Sequence, residues 1–302
     1  MTIETAREGR AGPRAARISA ALWRRPWLRG ALTLSPALAW FLVIYLASLV
    51  VMLVTAFWSV DPFTNNLQHQ LTLANFRQVF TPTYEHIIWR TVLLAALVTL
   101  TDAVLALPFA YFMARVASHR VRNLLFMGVL LPLWASYLAR VYAWIVILTK
   151  GGTLDWTFEH LGLPQPNIGY TLTAMWLVFS YIWLPFMIIP VYTALERIPD
   201  SLIEASSDLG ARNSRTLRGI VLPLALPGVV AGSIFTFSLT LGDFITPLLI
   251  GGTNSSLIGN VIYDNIGTAN NLPFAAALAI IPIVIMTVYL LTARAFGAFE
   301  AM

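Results

Sequence analysis

The sequence predicts an all-α membrane protein with six transmembrane helices. Three observations support this prediction: the composition, the lengths of the apolar runs and the placement of the arginines. Of the 302 residues, 58% are hydrophobic and only 11% are charged, and the mean hydropathy is +0.74. Soluble domains average about 45–50% apolar and about 25% charged residues. The composition therefore excludes a soluble domain and favours a polytopic membrane protein.

Six apolar runs are each long enough to cross a bilayer, which takes about 20 residues of α-helix. The predicted spans cover residues 31–57, 91–114, 124–148, 171–192, 223–250 and 274–293. The first run is longer than the apolar region of a signal peptide, about 7–15 residues, so we interpret it as an uncleaved anchor. In the fifth run Gly242 and Pro247 either belong to an ordinary kink, as prolines in spans commonly do, or break the helix around Asp243.

The arginines predict the orientation of these helices. With the N-terminus inside, the inner segments hold 15 arginines, whereas the outer loops hold two arginines and one lysine. Cytoplasmic loops are enriched in basic residues, so both termini are predicted to be cytoplasmic. Residues 1–30 would form a basic arm on the anionic lipid of the inner leaflet, and residues 31–302 the transmembrane domain. Because the basic residues cluster beside apolar runs, they do not indicate a nucleic-acid partner.

Residue types that carry catalysis or hold metals are scarce. The chain has no cysteine, and none of its four histidines pairs at a metal-ligand spacing such as H-E-x-x-H. The single lysine, Lys150, lies in LTKGG and not in the phosphate-binding pattern G-x-x-x-x-G-K-[ST]. The sequence therefore predicts no catalytic residue, no metal and no cofactor within this chain.

The segment between the fourth and fifth spans contains a short polar helix, a glycine and a second, basic helix. Ser201 and Glu204 have the spacing of a capping box, in which each residue satisfies a backbone N–H of the other. Gly210 is expected to end the first helix in the left-handed conformation, and the second helix to begin near Asn213. Such a short helix is marginal in water, so it packs either on its own bundle or on a cytoplasmic partner.

The spacing of this segment is more specific than its helices. Glu204-Ala205-Ser206 is followed by Gly210 and then by Ile220-Val221-Leu222-Pro223. This arrangement resembles the signature loop of ABC-importer permeases, which is EAA, three residues, G, nine residues and I-x-L-P. Further stretches are similar to the polyamine (spermidine/putrescine) subgroup of that family: LPLWASYLARVYAW (131–144), YIWLPFMIIPVYTALERI (181–198), GDFITPLLIGG (242–252) and LIGNVI (257–262).

The resemblance implies the type I ABC-importer permease (MetI-like) fold and a place in the bacterial inner membrane. It implies a second, different permease subunit, two ATPase subunits that bind ATP and Mg, and an extracytoplasmic substrate-binding protein. The loop at about 200–218 would be the coupling helix, seated in a cleft of the ATPase. The coupling role falls on Ser201, Glu204, Ala205, Ser206, Asp208 and Gly210. A polyamine is the favoured substrate, with 4-aminobutyrate or opine-like compounds as alternatives.

Three ionisable residues, Asp102, Arg140 and Asp243, lie within the predicted spans. A charge at bilayer depth costs at least about 2.5–3.5 kcal/mol on insertion scales, so it is expected to face a partner or a wet pathway. Asp243 extends a polar stripe at helical spacing. The stripe consists of Ser233, Thr236, Thr240 and Asp243. It either makes interhelical hydrogen bonds or lines a path for a cationic substrate.

Tyr137, Arg140 and Trp144 lie within about 60° of one another on a helix. Aromatic faces attract ammonium groups, so Tyr137 and Trp144 are candidates for substrate contact, although Trp144 is also typical of a membrane interface. Arg140 would repel a polyamine. We therefore expect Asp102 or Asp243 to neutralise it, or a carboxylate-bearing substrate to contact it. Asp102 by itself is interpreted as structural.

Two functions of other classes remain open at this point. An ion-coupled secondary carrier would move protons or sodium through Asp102, Arg140 and Asp243, and its transport would persist without ATPase subunits. A scaffold that only recruits an ATPase would leave uptake unchanged when Asp243 is replaced by alanine.

Overall fold

The structure, a computed structural model, describes residues 26–61, 64, 66–252 and 254–295. The chain divides into two compact units, residues 1–55 and 56–302. The described part of the first unit is one long helix. It runs through α1 (Pro26–Phe41), a π-helical turn (Leu42–Leu46) and α2 (Ala47–Thr55). Most of the predicted basic arm, residues 1–25, lies outside the described residues.

The described part of the second unit is helical apart from one short antiparallel pair of strands, β1 and β2. The strands are β1 (Ser59–Val60) and β2 (Leu67–Gln68), with Ser59 opposite Gln68. The first helices are α3 (Ala74–Val79), α4 (Pro82–Tyr111) with a π-helical turn (Phe112–Val116), α5 (His119–Trp134), α6 (Tyr137–Leu148) and α7 (Thr153–His160). The later helices are α8 (Leu172–Glu196), α9 (Asp200–Asp208), α10 (Asn213–Thr216) with a π-helical turn (Leu217–Val221), α11 (Leu222–Gly242), α12 (Ile245–Ile250), α13 (Ile258–Gly267) and α14 (Leu272–Ala295).

Within the described ranges, five helices are long and apolar enough to cross a membrane, and one bent pair makes a sixth span. The five are Thr33–Thr55, Pro82–Val116, Leu172–Glu196, Asn213–Gly242 and Leu272–Arg294. They coincide with five of the six predicted spans. The second and fifth spans begin earlier than predicted, because their polar first turns continue the same helices.

The third predicted span is wrong as a single straight helix. α5 ends at Trp134, and the chain turns by 95° before α6 begins at Tyr137. Pro132 lies in the last turn of α5, where it cannot donate a helical hydrogen bond and crowds the preceding turn. Ala135 and Ser136 then adopt extended ψ angles of 143° and 137°. Hydropathy did not reveal this bend, because both halves are apolar.

The core of the second unit forms around α8, which packs against α4 and α11. Two glycines of α11 allow its backbone to approach α8 closely. A Cβ atom on Gly232 would lie 2.6 Å from the sulfur of Met187, and one on Gly228 would lie 2.6 Å from the carbonyl oxygen of Pro190. Small residues at such contacts are typical of helix packing in membranes. The contact fixes the two spans that flank the segment at 200–218.

Candidate functional site

The segment between the fourth and fifth spans has the predicted helix, glycine and second helix. α9 covers Asp200–Asp208, and Gly210 has the left-handed φ of +77°. The second helix begins at Asn213 and continues without a break to Gly242. These predictions are therefore confirmed.

The predicted capping box of Ser201 and Glu204 is wrong. α9 begins one residue earlier, at Asp200, and its N-cap residue is Pro199, which has no side-chain acceptor. The carboxylate of Asp200 in the first turn instead complements the positive end of the helix. Glu204 is exposed. Its side chain is available to a partner and does not serve the start of its own helix.

Ser206 holds α9 against the next helix. It is buried, and its hydroxyl lies 2.8 Å from that of Thr216 on α10. The remaining candidate coupling residues, Ser201, Glu204, Ala205, Asp208 and Gly210, are exposed. Leu202 and Leu209 are also uncovered, with 43% and 89% of their surface exposed. Through Ser206, α9 thus packs on the helix that begins the fifth span. The opposite face of α9 is exposed.

A second group of candidates meets where the fifth span breaks. α11 ends at Gly242, and Asp243 is extended with a ψ of 134°, as the break predicted from Gly242 and Pro247 requires. The half-buried carboxylate of Asp243 accepts three hydrogen bonds. The donors are the hydroxyl of Tyr137, the hydroxyl of Thr246 at 2.7 Å and the backbone N–H of Ile245 at 2.9 Å. The structure thus brings Tyr137 and Asp243 together, although 106 residues separate them.

The ring of Tyr137 lies close to two other side chains. It stacks on Trp183 with centroids 5.8 Å apart, and Cζ of Arg140 lies 5.9 Å from its centroid. Nε and Nη1 of Arg140 are buried and have no hydrogen-bond partner among the described residues. Thr246 and Trp183 belong to this group but were not predicted. The sequence contains little indication of either residue. Thr246 is notable only because it follows Asp243 by three residues, and Trp183 lies in an apolar run.

The expectation that Asp102 or Asp243 neutralises Arg140 is wrong for the part of the chain that the structure describes. Neither carboxylate lies within ion-pair distance of the guanidinium there. Asp102 lies on α4 with none of its surface exposed, and neither oxygen has a hydrogen-bond partner among the described residues. Trp144 is also apart from the Tyr137 group, because it packs edge-to-face against Tyr181.

The rest of the polar stripe on α11 is buried against neighbouring helices. Thr236 donates to Thr99 of α4 at 3.3 Å, and Ser233 accepts from Tyr289 of α14 at 2.7 Å. Thr240 is fully buried and donates to the backbone of its own helix. This geometry favours interhelical hydrogen bonding for Thr236 and Ser233, whereas Thr240 bonds within its own helix. Asp243 alone of the stripe lies at a helix break.

Comparison with known proteins decides between the open functions. Residues 106–298 match the family described as the binding-protein-dependent transport system inner membrane component. This chain belongs to that family. Family membership selects the permease of an ABC importer over an ion-coupled carrier or a scaffold, and it confirms the resemblance seen in the signature loop.

Individual relatives agree with this assignment. The permease is 45% identical over 303 residues to the inner membrane ABC transporter permease protein YdcU of Escherichia coli K12, with 96% of each chain covered. It is 34% identical over 222 residues to the spermidine/putrescine transport system permease protein PotB of Escherichia coli K12. That alignment covers 73% of this chain and 80% of PotB.

A solved structure has the same fold. It is the crystal structure of a bacterial alginate ABC transporter in complex with an alginate pentasaccharide-bound periplasmic protein. One of its chains superimposes with a TM-score of 0.74 at 21% identity, covering 92% of this chain and 96% of that one. The predicted type I importer-permease fold is therefore confirmed, and the chain is a multi-pass protein of the inner membrane.

Proposed function

We propose that this permease forms half of the translocation path for a small cationic substrate, and that the substrate is a polyamine such as putrescine or spermidine. The contact of Tyr137 with Asp243 carries the proposal. A carboxylate has about four lone-pair sites, and three donors occupy Asp243, so one site remains for an ammonium group. The spermidine/putrescine transport named for PotB supports the same substrate class.

The assembly that we propose follows from the exposed segment at 200–218 and the family. Two partner ATPase subunits bind ATP and Mg and receive α9, a second and different permease completes the path, and an extracytoplasmic binding protein delivers the substrate. Both termini are cytoplasmic, and residues 1–30 lie on membrane lipid. The arginine bias of the inner segments supports this orientation.

In the proposed cycle, ATP closes the ATPase pair, and the segment at 200–218 transmits that motion to the spans. The path then alternates between inward and outward access. The ammonium group of the substrate binds Asp243, and the stacked rings of Tyr137 and Trp183 attract its cationic end. Only a ligand or partner with different affinity for the two states can shift their balance, and in this cycle the ATPase pair is that partner.

The test is uptake of radiolabelled putrescine into proteoliposomes that contain the complete complex. Asp243→Asn removes the negative charge and is expected to lower uptake about tenfold or more, since hydrogen bonds to charged groups contribute about 1.5–3 kcal/mol. The amount of ATPase that co-purifies should not change. Asp264→Asn is the matched control, because Asp264 is exposed on α13. Normal uptake by Asp243→Asn would refute the role of this carboxylate.

One observation favours a second candidate, a 4-aminobutyrate-like substrate. The guanidinium of Arg140 is partly buried beside Tyr137, and its Nε and Nη1 lack acceptors among the described residues. A substrate carboxylate would supply them. Arg140→Gln separates the two substrates in the same assay. Loss of 4-aminobutyrate uptake by this variant would support the second candidate, whereas undiminished putrescine uptake supports the first.

A further inference from the structure

Arg115 lies at the inner end of α4, in the π-helical turn Phe112–Val116. The N–H of Ala117 closes this turn on the carbonyl of Phe112 at 2.9 Å. A π-helical turn shifts the following side chains around the helix axis, and such turns are frequent at functional sites. The side chain of Arg115 is only 12% exposed, so the turn directs it into the protein and away from water.

The turn itself is held in place by a second arginine. Nε of Arg122 donates to the carbonyl of Met113 at 3.1 Å, and Nη2 donates to that of Ala114 at 3.2 Å. These are the backbone acceptors next to Arg115. Because the guanidinium is planar and rigid, two such bonds fix the backbone from which Arg115 projects.

The guanidinium of Arg115 joins three elements. It donates to the carbonyl of Leu195 in the last turn of α8, at 2.7 Å, and to that of Ile198 in the connection between α8 and α9. It also forms an ion pair with Asp200, the first residue of α9. The C-terminal end of a helix carries partial negative charge, so a cation that reaches its carbonyls is stabilising.

The carbonyls hold Arg115 more firmly than the carboxylate does. The side chain of Asp200 is 82% exposed, and exposed ion pairs contribute little because water competes for both groups. The carbonyls of Leu195 and Ile198 are reached by a largely buried guanidinium, where hydrogen bonds from a charged donor are stronger. The main attachment is therefore between α4 and the end of α8.

This arrangement attaches α9 to the bundle at both ends. Its start follows α8 after a three-residue connection, and Arg115 fixes that connection against α4. Its last turn is tied to α10 by the contact of Ser206 with Thr216. A displacement of α9 therefore reaches α4 and α8 through Arg115.

We propose that Arg115 is a positioning residue that transmits the movement of α9 to α4 and α8 during transport. This inference rests on the proposed function of the segment at 200–218 as the site of ATPase coupling. Arg115 touches neither the substrate group at Asp243 nor the exposed face of α9. Its loss should therefore disconnect ATP hydrolysis from transport, and leave the association with the ATPase intact.

The experiment measures the number of substrate molecules imported per ATP hydrolysed, in proteoliposomes with the complete complex. Arg115→Gln should lower this ratio about fivefold or more, because it removes charged hydrogen bonds to two carbonyls. Arg115→Lys keeps the charge but not the planar fork and should give an intermediate ratio. Asp200→Asn should change the ratio less than about twofold. The matched control is Arg120→Gln, since Arg120 is exposed in the first turn of the neighbouring helix α5.

Two outcomes would overturn the proposal. One is a ratio for Arg115→Gln equal to that of Arg120→Gln. The other is a proportional fall of ATP hydrolysis, uptake and co-purified ATPase, which would show that Arg115 only stabilises the fold. The wild-type complex tests the proposed function separately. If its uptake continued without the ATPase subunits, the proposed function would fail, whatever the variants of Arg115 do.

Discussion

At the residue scale, Asp102 and Arg140 are both ionisable side chains that lack hydrogen-bond partners among the described residues, but they differ in access. Asp102 has none of its surface exposed, so a ligand or partner subunit cannot reach it without movement of the helices around it. Arg140 is only partly buried and lies beside the ring of Tyr137. A bound ligand could therefore supply the acceptor that Arg140 lacks. The carboxyl group of Asp102 instead remains desolvated inside the helix bundle.

The first prediction concerns the stability effect of Asp102. Asp102→Leu replaces the carboxyl by an apolar group of similar shape, and a buried polar group without a hydrogen-bond partner costs free energy. The variant should raise the free energy of unfolding by about 1–3 kcal/mol. Thermal unfolding of the purified permease in detergent measures the change as a higher midpoint.

A second aspartate provides the contrast. Asp155 is also buried, but its carboxylate accepts from the backbone N–H of Gly151 at 2.8 Å. Asp155→Asn weakens that bond and should lower the midpoint. If Asp102→Leu lowered the midpoint as much as Asp155→Asn, the carboxyl of Asp102 would have a stabilising partner after all.

Single residues were predicted better than their contacts. Asp243 and Tyr137 could be selected from sequence, because a polar residue in an apolar run is unusual whatever surrounds it. Their hydrogen bond could not be predicted, because it depends on the 95° bend between α5 and α6. The contacts of Arg115 were also missed, since an arginine at the predicted inner end of a span is already explained by topology.

At the element scale, the short helix α9 depends on the backbone at its end. Gly210 has a φ of +77°, which glycine adopts at little cost. The same helix starts without a side-chain cap at Pro199. Local sequence rules gave the end of α9 correctly and its start incorrectly, because a left-handed glycine ends a helix independently of tertiary contacts. A capping box, in contrast, requires a particular first residue.

The second prediction tests this glycine. Gly210→Ala should destabilise the end of α9 by about 1–2 kcal/mol, the cost of left-handed backbone in a residue with a Cβ. The cost is purely conformational, because a Cβ there would meet no atom within 4 Å among the described residues. The measurement is the amount of ATPase that co-purifies with the permease, which should fall.

Gly128→Ala is the control for that measurement. Gly128 lies inside α5, and a Cβ there also meets no atom within 4 Å among the described residues. Alanine favours helix over glycine, so this variant should bind the ATPase normally. Equal loss in both variants would contradict the specific role of the left-handed conformation.

At the scale of the whole molecule, the composition and the lengths of the apolar runs predicted the number of spans well. Both describe the apolar character of many residues together, and a single bend in the chain does not change them. The third span shows the limit of such averages. Hydropathy over 124–148 is continuous, yet the chain turns between Trp134 and Tyr137. An apolar average does not distinguish one straight helix from two helices joined at an angle.

The third prediction concerns orientation. The chain has no cysteine, so single cysteines can be introduced as reporters. Lys150→Cys in an outer loop should react with a membrane-impermeant maleimide in intact cells with a permeabilised outer membrane. Arg120→Cys in an inner loop should react only after lysis. Both positions are exposed, so a difference in labelling reports the side of the membrane. The reverse pattern would place both termini outside.

The glycines of α11 restrict how the molecule changes shape. With Gly228 set against Pro190 and Gly232 against Met187, sliding of α11 along α8 would drive backbone into backbone. We therefore expect α8 and α11 to tilt together as one rigid unit. The flexing points fall where regular helix stops, between α5 and α6 and at Asp243. A change between inward and outward access would therefore alter the geometry around the carboxylate of Asp243, which is proposed to bind the substrate.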